Sequence, residues 1–533
     1  MSASEAPQVL GVAGAGTMGS GIAQLGAVAG LTTRLHDPDA AALQRGVDRI
    51  TRQLDREVSR GRLDQAAADR ARASLHPATT VDELADCDLV IEAAPESLEL
   101  KRSLFSTLSE VVSPECVLAT NTSSLLVTAL ATGASHPQRV VGMHFFNPPP
   151  LMALLEVVAG LESSPRALAV ARAAGEAMGK HVIQAIDGPG FLVNRCNRPY
   201  ALEGLKLVSE GIASVEQVDR ICRLGGGFRM GPFELMDLVG LDTGFDISRS
   251  FYEQSFGEPR WRPSPIQAKM VAAGRHGRKT GRGYYEYPGS GEYRPPDTED
   301  PGVGGGDGLV VIAGDSELAL EVGLAAGAAG WDVLAPAEAV DGPAPTLILD
   351  LSGGEDTEAP LQGAPQAICC TAGSLAALDP GGSAVGFHAL PPFGEARLVE
   401  LTRGPDSSRV AAETTERFFA TLGKHTEWVG DAPGLVLGRI VCQVINEAAF
   451  ALGEGVGSAE DIDAGMTLGL NYPRGILAWA DEIGLDHVLN VLDSLYLERG
   501  EERYRLAPLL RRLAWSGRLG RATGEGFYSH PAS

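Results

Sequence analysis

The chain has 533 residues, of which 44% are hydrophobic and 21% are charged, as is typical of a globular protein with several domains. The formal net charge of −24 argues against nucleic acid or an anionic membrane surface as the main partner. Seven scattered cysteines without a C-x-x-C pair predict a reducing compartment, with the cytoplasm as the default, and no metal site. We expect neither a signal peptide nor a membrane span, because no basic-then-apolar leader and no long apolar stretch is present.

The first part of the chain alternates short apolar runs with helical stretches. The run at 9–13 meets the glycine cluster GAGTMG, an alanine-rich helix follows, and the next run ends in LTTRLHD. Further strands are predicted at 88–92, 117–121 and 139–144. This alternation predicts an α/β fold with a Rossmann-type, doubly wound parallel sheet. From 190 to 285 the pattern is helical and indicates an all-helical domain.

The same motifs recur 244 residues further along the chain. His144 and Glu156 recur as His388 and Glu400, and the DGPGF that begins at Asp187 recurs as DAPGL. Landmarks in one register predict duplication of a whole two-domain unit, with a degenerate second copy. The predicted domains are a Rossmann domain at 1–187, a helical domain at 188–287, a Pro/Gly-rich linker at 288–308, a degenerate Rossmann-like domain at 309–430 and a second helical domain at 431–533.

The glycine cluster fits G-x-G-x-x-G between a strand and a helix, the pattern that holds a dinucleotide pyrophosphate at a helix N-terminus. Asp37 closes the second strand, where a carboxylate can bind a ribose hydroxyl and repel a 2′-phosphate, which favours NAD over NADP. An ordinary glycine turn beside an accidental acid is the alternative. The candidate cofactor contacts in this region are Gly14, Gly16, Thr17, Met18, Gly19 and Asp37.

The second copy has GDSELA where the first has GAGTMG. Two glycines are replaced, and Asp315 and Glu317 stand where phosphate would bind. Like charge and added bulk should reject a pyrophosphate there. We therefore expect one dinucleotide per chain.

His144 ends a predicted strand and is a candidate general base, with Glu156 placed to orient and stabilise its imidazolium. The alternative is a core histidine and an unrelated solvated glutamate. Ser123, in the NTSS that follows another strand, and Asn194, at the start of the helical domain, are candidates for holding a reacting oxygen. A helix cap and an ordinary helix residue are their alternatives.

Residues 8–287 resemble the (S)-3-hydroxyacyl-CoA dehydrogenase family. The resemblance rests on GAGTMGSGIA, IEAAPESLELK, NTSSL, HFFNP followed by LLEVV, DGPGFLVNR, GPFELMDLVGLD and KTGRGYYEY, in that order. It implies that His144 is the base and Glu156 its partner, and that Ser123 and Asn194 hold the substrate oxygens. It also implies that the glycines and Asp37 hold NAD, with Glu96, Lys101 and Asn147 near the cofactor and the CoA.

The resemblance implies NAD-dependent oxidation of a (S)-3-hydroxyacyl-CoA to a 3-ketoacyl-CoA in fatty-acid or phenylacetate-type catabolism. The duplicated layout is similar to the long bacterial members, which include 3-hydroxyadipyl-CoA dehydrogenases. Alternatives are a related NAD dehydrogenase acting on a free hydroxy acid or polyol, and a non-catalytic NAD-binding protein. The helical domains would form an internal pseudo-dimer, and a further homodimer is left open.

Some features leave their role open. Arg52, Arg56 and Arg60 form either a stripe for CoA phosphates or a solvated helix face. Arg195 or Arg198 could bind a terminal carboxylate on the acyl chain. In the second copy Pro391 and Gly438 replace Asn147 and Asn194, so His388 and Glu400 belong either to an inert copy or to a second acyl-CoA site.

Overall fold

The computed structural model describes residues 6–289, 293–339, 342–353 and 364–531. Two compact units divide the chain. Unit one contains Met1–Arg195 and Glu454–Leu470, and unit two contains Cys196–Gly453 and Asn471–Ser533. Each unit is described by itself below.

Unit one is built on an eight-stranded sheet in the order β3-β2-β1-β4-β5-β6-β7-β8, so the predicted doubly wound sheet is confirmed. All neighbouring strands are parallel except β6 and β7. The strands are β1 (Val9–Ala13), β2 (Thr32–His36), β3 (Leu75–Ala78), β4 (Leu89–Glu92), β5 (Val117–Thr120), β6 (Val140–Phe145), β7 (Leu154–Ala159) and β8 (His181–Ile186). The helices up to its first boundary are α1 (Thr17–Val28), α2 (Ala40–Ser59), α3 (Gln65–Ser74), α4 (Leu98–Val111), α5 (Val127–Ala131), α6 (Pro165–Ala177) and α7 (Val193–Cys196).

The central strands of this sheet are buried on both faces, which is why they are nearly continuous apolar runs rather than alternating ones. Helix starts follow local sequence rules. Asp39 caps α2 by accepting the N–H of Ala41, and Ser164 caps α6 just before Pro165. These caps fix the residue at which each helix begins.

The remaining chain contains five helices, a second sheet and a second helical run. The five helices are α8 (Arg198–Ser209), α9 (Val215–Gly226), α10 (Pro232–Val239), α11 (Leu241–Gln254) and α12 (Pro265–Ala272). The strands are β9 (Leu309–Ala313), β10 (Asp332–Leu334), β11 (Leu347–Asp350), β12 (Gln366–Cys369), β13 (Val385–His388), β14 (Leu398–Arg403) and β15 (His425–Trp428). The later helices are α13 (Glu317–Ala329), α14 (Pro336–Ala339), α15 (Leu375–Leu378), α16 (Arg409–Thr421), α17 (Leu437–Gly453), α18 (Ala459–Ala464), α19 (Ile476–Ile483), α20 (Leu485–Arg499) and α21 (Pro508–Trp515). Short 3-10 turns occur at Val81–Leu84, Pro137–Arg139, Pro259–Trp261, Arg278–Thr280, Glu502–Tyr504 and Arg521–Thr523, and a π-helical turn at Gly465–Gly469.

The second sheet repeats the strand order of the first, β10-β9-β11-β12-β13-β14-β15, and the described residues contain no counterpart of β3. Its single antiparallel pair is β13 with β14, the counterpart of β6 with β7. Between β10 and β11 the described residues form only the short helix α14, where the first sheet has α2 and α3. The second sheet therefore keeps the strands that carry the His–Glu pair and lacks the outer part.

Each sheet is joined by a segment from a distant part of the chain. In unit one, the N–H of Ile186 donates to the carbonyl of Val456 at 3.0 Å. In unit two, the N–H of Gly430 donates to the carbonyl of Ile212 at 2.7 Å, and α9 packs against β14. These hydrogen bonds occupy corresponding positions, 244 residues apart on both partners, so both units use the same packing.

Three further features are the polarity of the helices, the state of the cysteines and the possible metal ligands. Among the described residues every helix is too short or too polar to span a bilayer. All seven cysteines are buried and carry free thiols, including the adjacent Cys369 and Cys370. No group of three or more His, Cys, Asp or Glu side chains in the described part of the chain could hold a metal ion.

Candidate active site

In the loop after β1, each of the three glycines is required for a different steric reason. Gly14 has a φ of +116°, and a Cβ there would lie 2.6 Å from the carbonyl oxygen of Ala93. A Cβ on Gly19 would lie 1.8 Å from the oxygen of Gly14, so the helix can approach the strand this closely only without a side chain. At Gly16, by contrast, a Cβ would meet nothing within 4 Å. Open space at that glycine is what a pyrophosphate approaching the backbone requires.

The first turn of α1 is suited to an anion. No side chain among the described residues caps its N-terminal N–H groups, so they remain available to a ligand. Asp37 lies beside the loop, where its Oδ2 accepts the N–H of Ala15 at 2.9 Å. Met18 packs its side chain against the core of the sheet, while Thr17 is exposed. The loop, the free helix terminus and Asp37 together fit NAD.

The corresponding loop of the second sheet is less suited to an anion. The hydroxyl of Ser316 accepts the N–H of Ala319 at 3.2 Å and so caps α13. Glu317 occupies the first turn of that helix. The N–H groups that would bind phosphate are thus partly used, and the nearest charge is negative.

The candidate catalytic pair is brought together by strand register. His144 on β6 stands opposite Glu156 on β7 in the antiparallel pair, and Nδ1 of the imidazole lies 2.6 Å from Oε2 of the carboxylate. Glu156 is fully buried and His144 is 4% exposed. Because an ionised carboxylate can only accept, Nδ1 of the imidazole is the donor in this pair, and in the neutral ring Nε2 then presents its lone pair.

A left-handed turn supplies the other partners of Glu156. Phe191 has a φ of 53°, unusual for a side chain of this size. The turn directs the N–H groups of Leu192 and Val193 to Oε1 of Glu156, at 3.2 and 3.0 Å. The buried carboxylate therefore has donors on both oxygens, as burial of a charge requires.

Ser123 lies directly on the free side of the imidazole. Its Oγ is 3.0 Å from Nε2 of His144, so Ser123, His144 and Glu156 form one hydrogen-bonded row. Asn194 is half-buried on α7, one residue beyond Val193, and Asn147 is exposed three residues after His144. The structure thus unites three of the four predicted catalytic residues by direct hydrogen bonds.

Glu96 holds the loop that carries Ser123. Its Oε1 accepts the N–H groups of Ser123 and Ser124, each at 3.1 Å, and the hydroxyl of Thr122 at 2.5 Å. Burial alone would raise the pKa of Glu96. The Lys101 ammonium and the hydroxyls of Thr122 and Ser124 instead hold this pKa below its usual value. Direct cofactor contact by Glu96 stays a prediction.

Lys101 is 1% exposed and lies between two carboxylates. Its Nζ is 2.8 Å from Oε1 of Glu92 and 3.1 Å from Oε2 of Glu96. Glu92 also accepts the hydroxyl of Thr120 at 2.7 Å. In this arrangement Lys101 ties the end of β4 to the loop of Ser123, and its predicted contact with the cofactor stays a prediction. The role of Glu92 was not predicted from the sequence, where its only signal is a carboxylate that closes an apolar strand.

In the second sheet the same register does not give the same pair. His388 stands opposite Glu400, but its Nε2 lies 3.1 Å from Nε2 of His487 instead. Nδ1 of His388 has no hydrogen-bond partner among the residues that the structure describes. A Cβ on Gly438, the counterpart of Asn194, would lie 2.2 Å from Cε1 of His388. The missing side chain therefore leaves room for the imidazole to turn away from Glu400.

Glu400 keeps its backbone donors and loses the imidazole. The N–H groups of Val436 and Leu437 donate to it at 2.7 and 2.9 Å. Burial nevertheless raises the pKa of Glu400 to about 8. Burial also lowers the pKa of His487 to about 4 and that of His388 well below its usual value. Both rings are therefore neutral near neutral pH, which leaves Glu400 without a cationic partner.

Two arginines were candidates for a substrate carboxylate. Arg195 pairs with Glu454 at 2.8 Å, and its counterpart Arg439 pairs in the same way with Glu210 at 2.7 Å. This recurrence indicates a structural ion pair. Arg198, in unit two, donates to Ser248 at 3.2 Å and lies 4.4 Å over the ring of Phe251, with no carboxylate paired to it among the described residues. Burial lowers its pKa to about 10.

The doubly wound sheet and its glycine loop define a dinucleotide-binding protein. The family model for the NAD-binding domain of 3-hydroxyacyl-CoA dehydrogenase matches residues 9–188. The model for the C-terminal domain of the same family matches twice, at residues 190–287 and 434–530. The chain belongs to the 3-hydroxyacyl-CoA dehydrogenase family and is an NAD-dependent enzyme.

Relatives match the whole chain as well as its first half. A 3-hydroxyadipyl-CoA dehydrogenase of Escherichia coli (strain K12) is 35% identical over 522 residues, covering 95% of this chain and 97% of that protein. A 3-hydroxybutyryl-CoA dehydrogenase of Mycobacterium tuberculosis is 42% identical over 286 residues, covering 53% of this chain and 100% of that protein. The crystal structure of a 3-hydroxybutyryl-CoA dehydrogenase from Escherichia coli K12 has a TM-score of 0.82 at 34% identity and covers 96% of this chain and 99% of that one.

Gly16→Val should weaken NADH binding at least tenfold without lowering the unfolding midpoint, because the new side chain enters only the space that the pyrophosphate needs. Fluorescence titration with NADH measures both the affinity and the stoichiometry, which we expect to be one per chain. Ser316→Ala, at the corresponding place in the second loop, is the matched control and should bind NADH as the parent does. A stoichiometry of two would contradict the prediction.

Glu400→Gln should gain stability relative to the parent as pH rises. Since the folded-state pKa of Glu400 is raised to about 8 from 4.5, the parent loses stability between those values as the unfolded chain ionises first. The difference should grow by at most about 1.4 kcal/mol per pH unit. Urea unfolding at pH 5 and pH 8 measures it, with Glu413→Gln at an exposed site as the control. An unchanged difference at the two pH values would show that Glu400 is ionised throughout.

Proposed function

We propose that this protein oxidises (S)-3-hydroxyacyl-CoA thioesters to 3-ketoacyl-CoA, with His144 as the general base. The observation that carries the proposal is the row of hydrogen bonds from Ser123 through His144 to Glu156 in the unit with the NAD-binding domain. The names of the relatives support the acyl-CoA substrate. We place the reaction in fatty-acid or phenylacetate-type catabolism, and the free thiols support a reducing, cytoplasmic setting.

Different residues would bind the cofactor, transfer the proton and stabilise the charge that forms. Bound NAD would supply the hydride acceptor, held by Gly14, Gly16, Gly19 and Asp37. Nε2 of His144 would take the proton of the substrate 3-hydroxyl, and the Glu156 carboxylate would stabilise the imidazolium that forms. Two backbone N–H groups keep that carboxylate in place while the charge on the ring changes.

Ser123 and Asn194 would hold the reacting oxygen. The Ser123 hydroxyl now occupies the lone pair of Nε2, so the substrate hydroxyl would take over or share this position. Glu96 fixes the loop of Ser123 through four donors and would thereby set where the oxygen lies. Such positioning can account for a large share of a rate enhancement.

The CoA portion would bind by charge. Arg52, Arg56 and Arg60 are all exposed at the C-terminal half of α2, spaced so that they share one face. In a chain with a net charge of −24 such a stripe provides local attraction for phosphates. Binding energy from this remote part of the substrate can position the reacting carbon.

The second sheet would serve assembly rather than chemistry. Helices α8 and α17 pack together within unit two, and each sheet receives a segment from a distant part of the chain. We propose that the two halves form an internal pseudo-dimer, which avoids the association entropy of a dimer of separate chains. The turned imidazole of His388 argues against a second acyl-CoA site.

His144→Ala should reduce kcat about 10²–10⁴-fold for acetoacetyl-CoA-dependent NADH oxidation, because it removes the proton-transfer group. The matched control is His388→Ala, which should keep kcat within about twofold because the imidazole of His388 is bonded to His487 and not to Glu400. Absorbance at the NADH band measures both rates. Equal losses in the two variants would show that His388 contributes to the reaction as much as His144 does. Activity on free acetoacetate equal to that on its CoA ester would favour the hydroxy-acid alternative.

Acyl-chain preference has its own test. Because Arg198 is a half-buried cation with no carboxylate partner among the described residues, we propose that it favours a substrate with a terminal carboxylate. Arg198→Met should lower kcat/KM for 3-hydroxyadipyl-CoA by about tenfold or more and change that for 3-hydroxybutyryl-CoA by much less. Comparing both substrates and a long-chain homologue measures the preference. Equal losses on the three substrates would assign Arg198 a purely structural role.

A further inference from the structure

A segment far along the chain completes the unit that contains the candidate catalytic pair. This segment, Glu454–Leu470, is part of unit one, whereas its neighbours in sequence on both sides are part of unit two. We call it the distal segment. It comprises α18 and the π-helical turn Gly465–Gly469, and it contacts β7 and β8. Single π-helical turns are uncommon and frequently occur beside functional sites.

Two glycines of the distal segment pack closely against the residues whose backbone N–H groups bind Glu156. A Cβ on Gly457 would lie 2.6 Å from Cδ2 of Leu192, and a Cβ on Gly465 would lie 2.6 Å from Cγ2 of Val193. The N–H groups of these same two residues donate to Oε1 of Glu156. The distal segment therefore packs directly behind the donors of the buried carboxylate.

A third glycine of the distal segment packs closely against residues on the His144 side of the pair. A Cβ on Gly469 would lie 2.7 Å from Cδ2 of Leu154 and 3.4 Å from the ring of Phe146. The Phe146 ring in turn packs on the imidazole of His144, with 4.8 Å between ring centroids. The distal segment thus reaches both members of the pair through one intervening residue each.

The corresponding segment in unit two shows that this fold does not demand all these glycines. The positions that match Gly457, Gly465 and Gly469 are Ala213, Ile221 and Gly225, and they lie on or just before α9. Ala213 and Ile221 are buried, and α9 packs against β14. Side chains are therefore accommodated in the same packing where no catalytic pair is assembled.

We propose that the distal segment is a positioning element for His144 and Glu156, so that the second half of the chain, whose own pair is separated, completes the catalytic unit of the first half. Gly457 and Gly465 allow the close approach that fixes the Leu192–Val193 backbone, and Gly469 fixes Phe146 against the imidazole. The expected effect on kcat rests on the proposed function. The expected effect on the position of His144 rests on geometry alone.

The experiment compares Gly465→Ala and Gly469→Ala with Gly225→Ala, the position in unit two that matches Gly469. A Cβ on Gly225 would make only moderate contacts, at 3.3 Å from Leu437 and 3.4 Å from Leu398. In the two distal-segment variants kcat should fall about tenfold, with KM and NADH affinity nearly unchanged, since sub-ångström misplacement of a base is costly. Gly225→Ala should keep kcat within about twofold.

A rescue variant and a spectroscopic readout separate positioning from general damage. Gly465→Ala combined with Val193→Ala removes the methyl group that the new Cβ meets, and it should recover most of the lost kcat. The imidazole shift of His144, assigned in ¹³C-histidine-labelled protein by its absence in His144→Ala, should move in Gly465→Ala and Gly469→Ala and stay in place in Gly225→Ala.

The outcomes distinguish the two proposals. If the parent protein lacks activity on every acyl-CoA, the proposed function fails, while the His144 shift still tests the positioning role. If the parent is active and both distal-segment variants match Gly225→Ala in kcat and in the His144 shift, the positioning role is overturned. If kcat falls only together with the unfolding midpoint and Val193→Ala restores nothing, the segment is merely structural and the inference also fails.

Discussion

The geometry of the site depends on one buried carboxylate. Glu156 is fully buried, and its two oxygens are occupied by the imidazole of His144 on one side and by two backbone N–H groups on the other. A charge in such surroundings is tolerable only when every oxygen has a donor. The left-handed turn at Phe191 and the antiparallel register of β6 and β7 bring these donors to the two oxygens.

The second sheet shows what happens when one donor is withdrawn. His388 and Glu400 keep the register, and Glu400 keeps both backbone donors, yet the imidazole bonds to His487. Without a cationic or N–H partner from the ring, burial raises the pKa of Glu400 to about 8. Backbone geometry alone therefore does not assemble a base. The side chains around the ring decide which partner it takes, and Gly438 leaves open a space that Asn194 would fill.

The exchange of segments explains how a half without a dinucleotide loop still contributes. Each sheet is covered by residues that follow or precede the other sheet in sequence, and corresponding backbone hydrogen bonds at Ile186 and Gly430 secure them. The second half has GDSELA where the first has its glycine loop, and its residues 454–470 pack in the unit of the first sheet.

The sequence by itself determined the architecture and the cofactor. The glycine loop, the alternating apolar runs and the repeat at 244 residues are local or periodic signals, and they predicted the doubly wound sheet and NAD correctly. Spacing also put His144 and Glu156 forward as a pair, since residues on adjacent antiparallel strands keep a fixed register. The roles of Lys101 and Glu92, the turn of His388 toward His487, and the return of residues 454–470 to the first sheet were decided only by the tertiary structure. These depend on which side chains fill a shared volume, and neither composition nor periodicity carries that information.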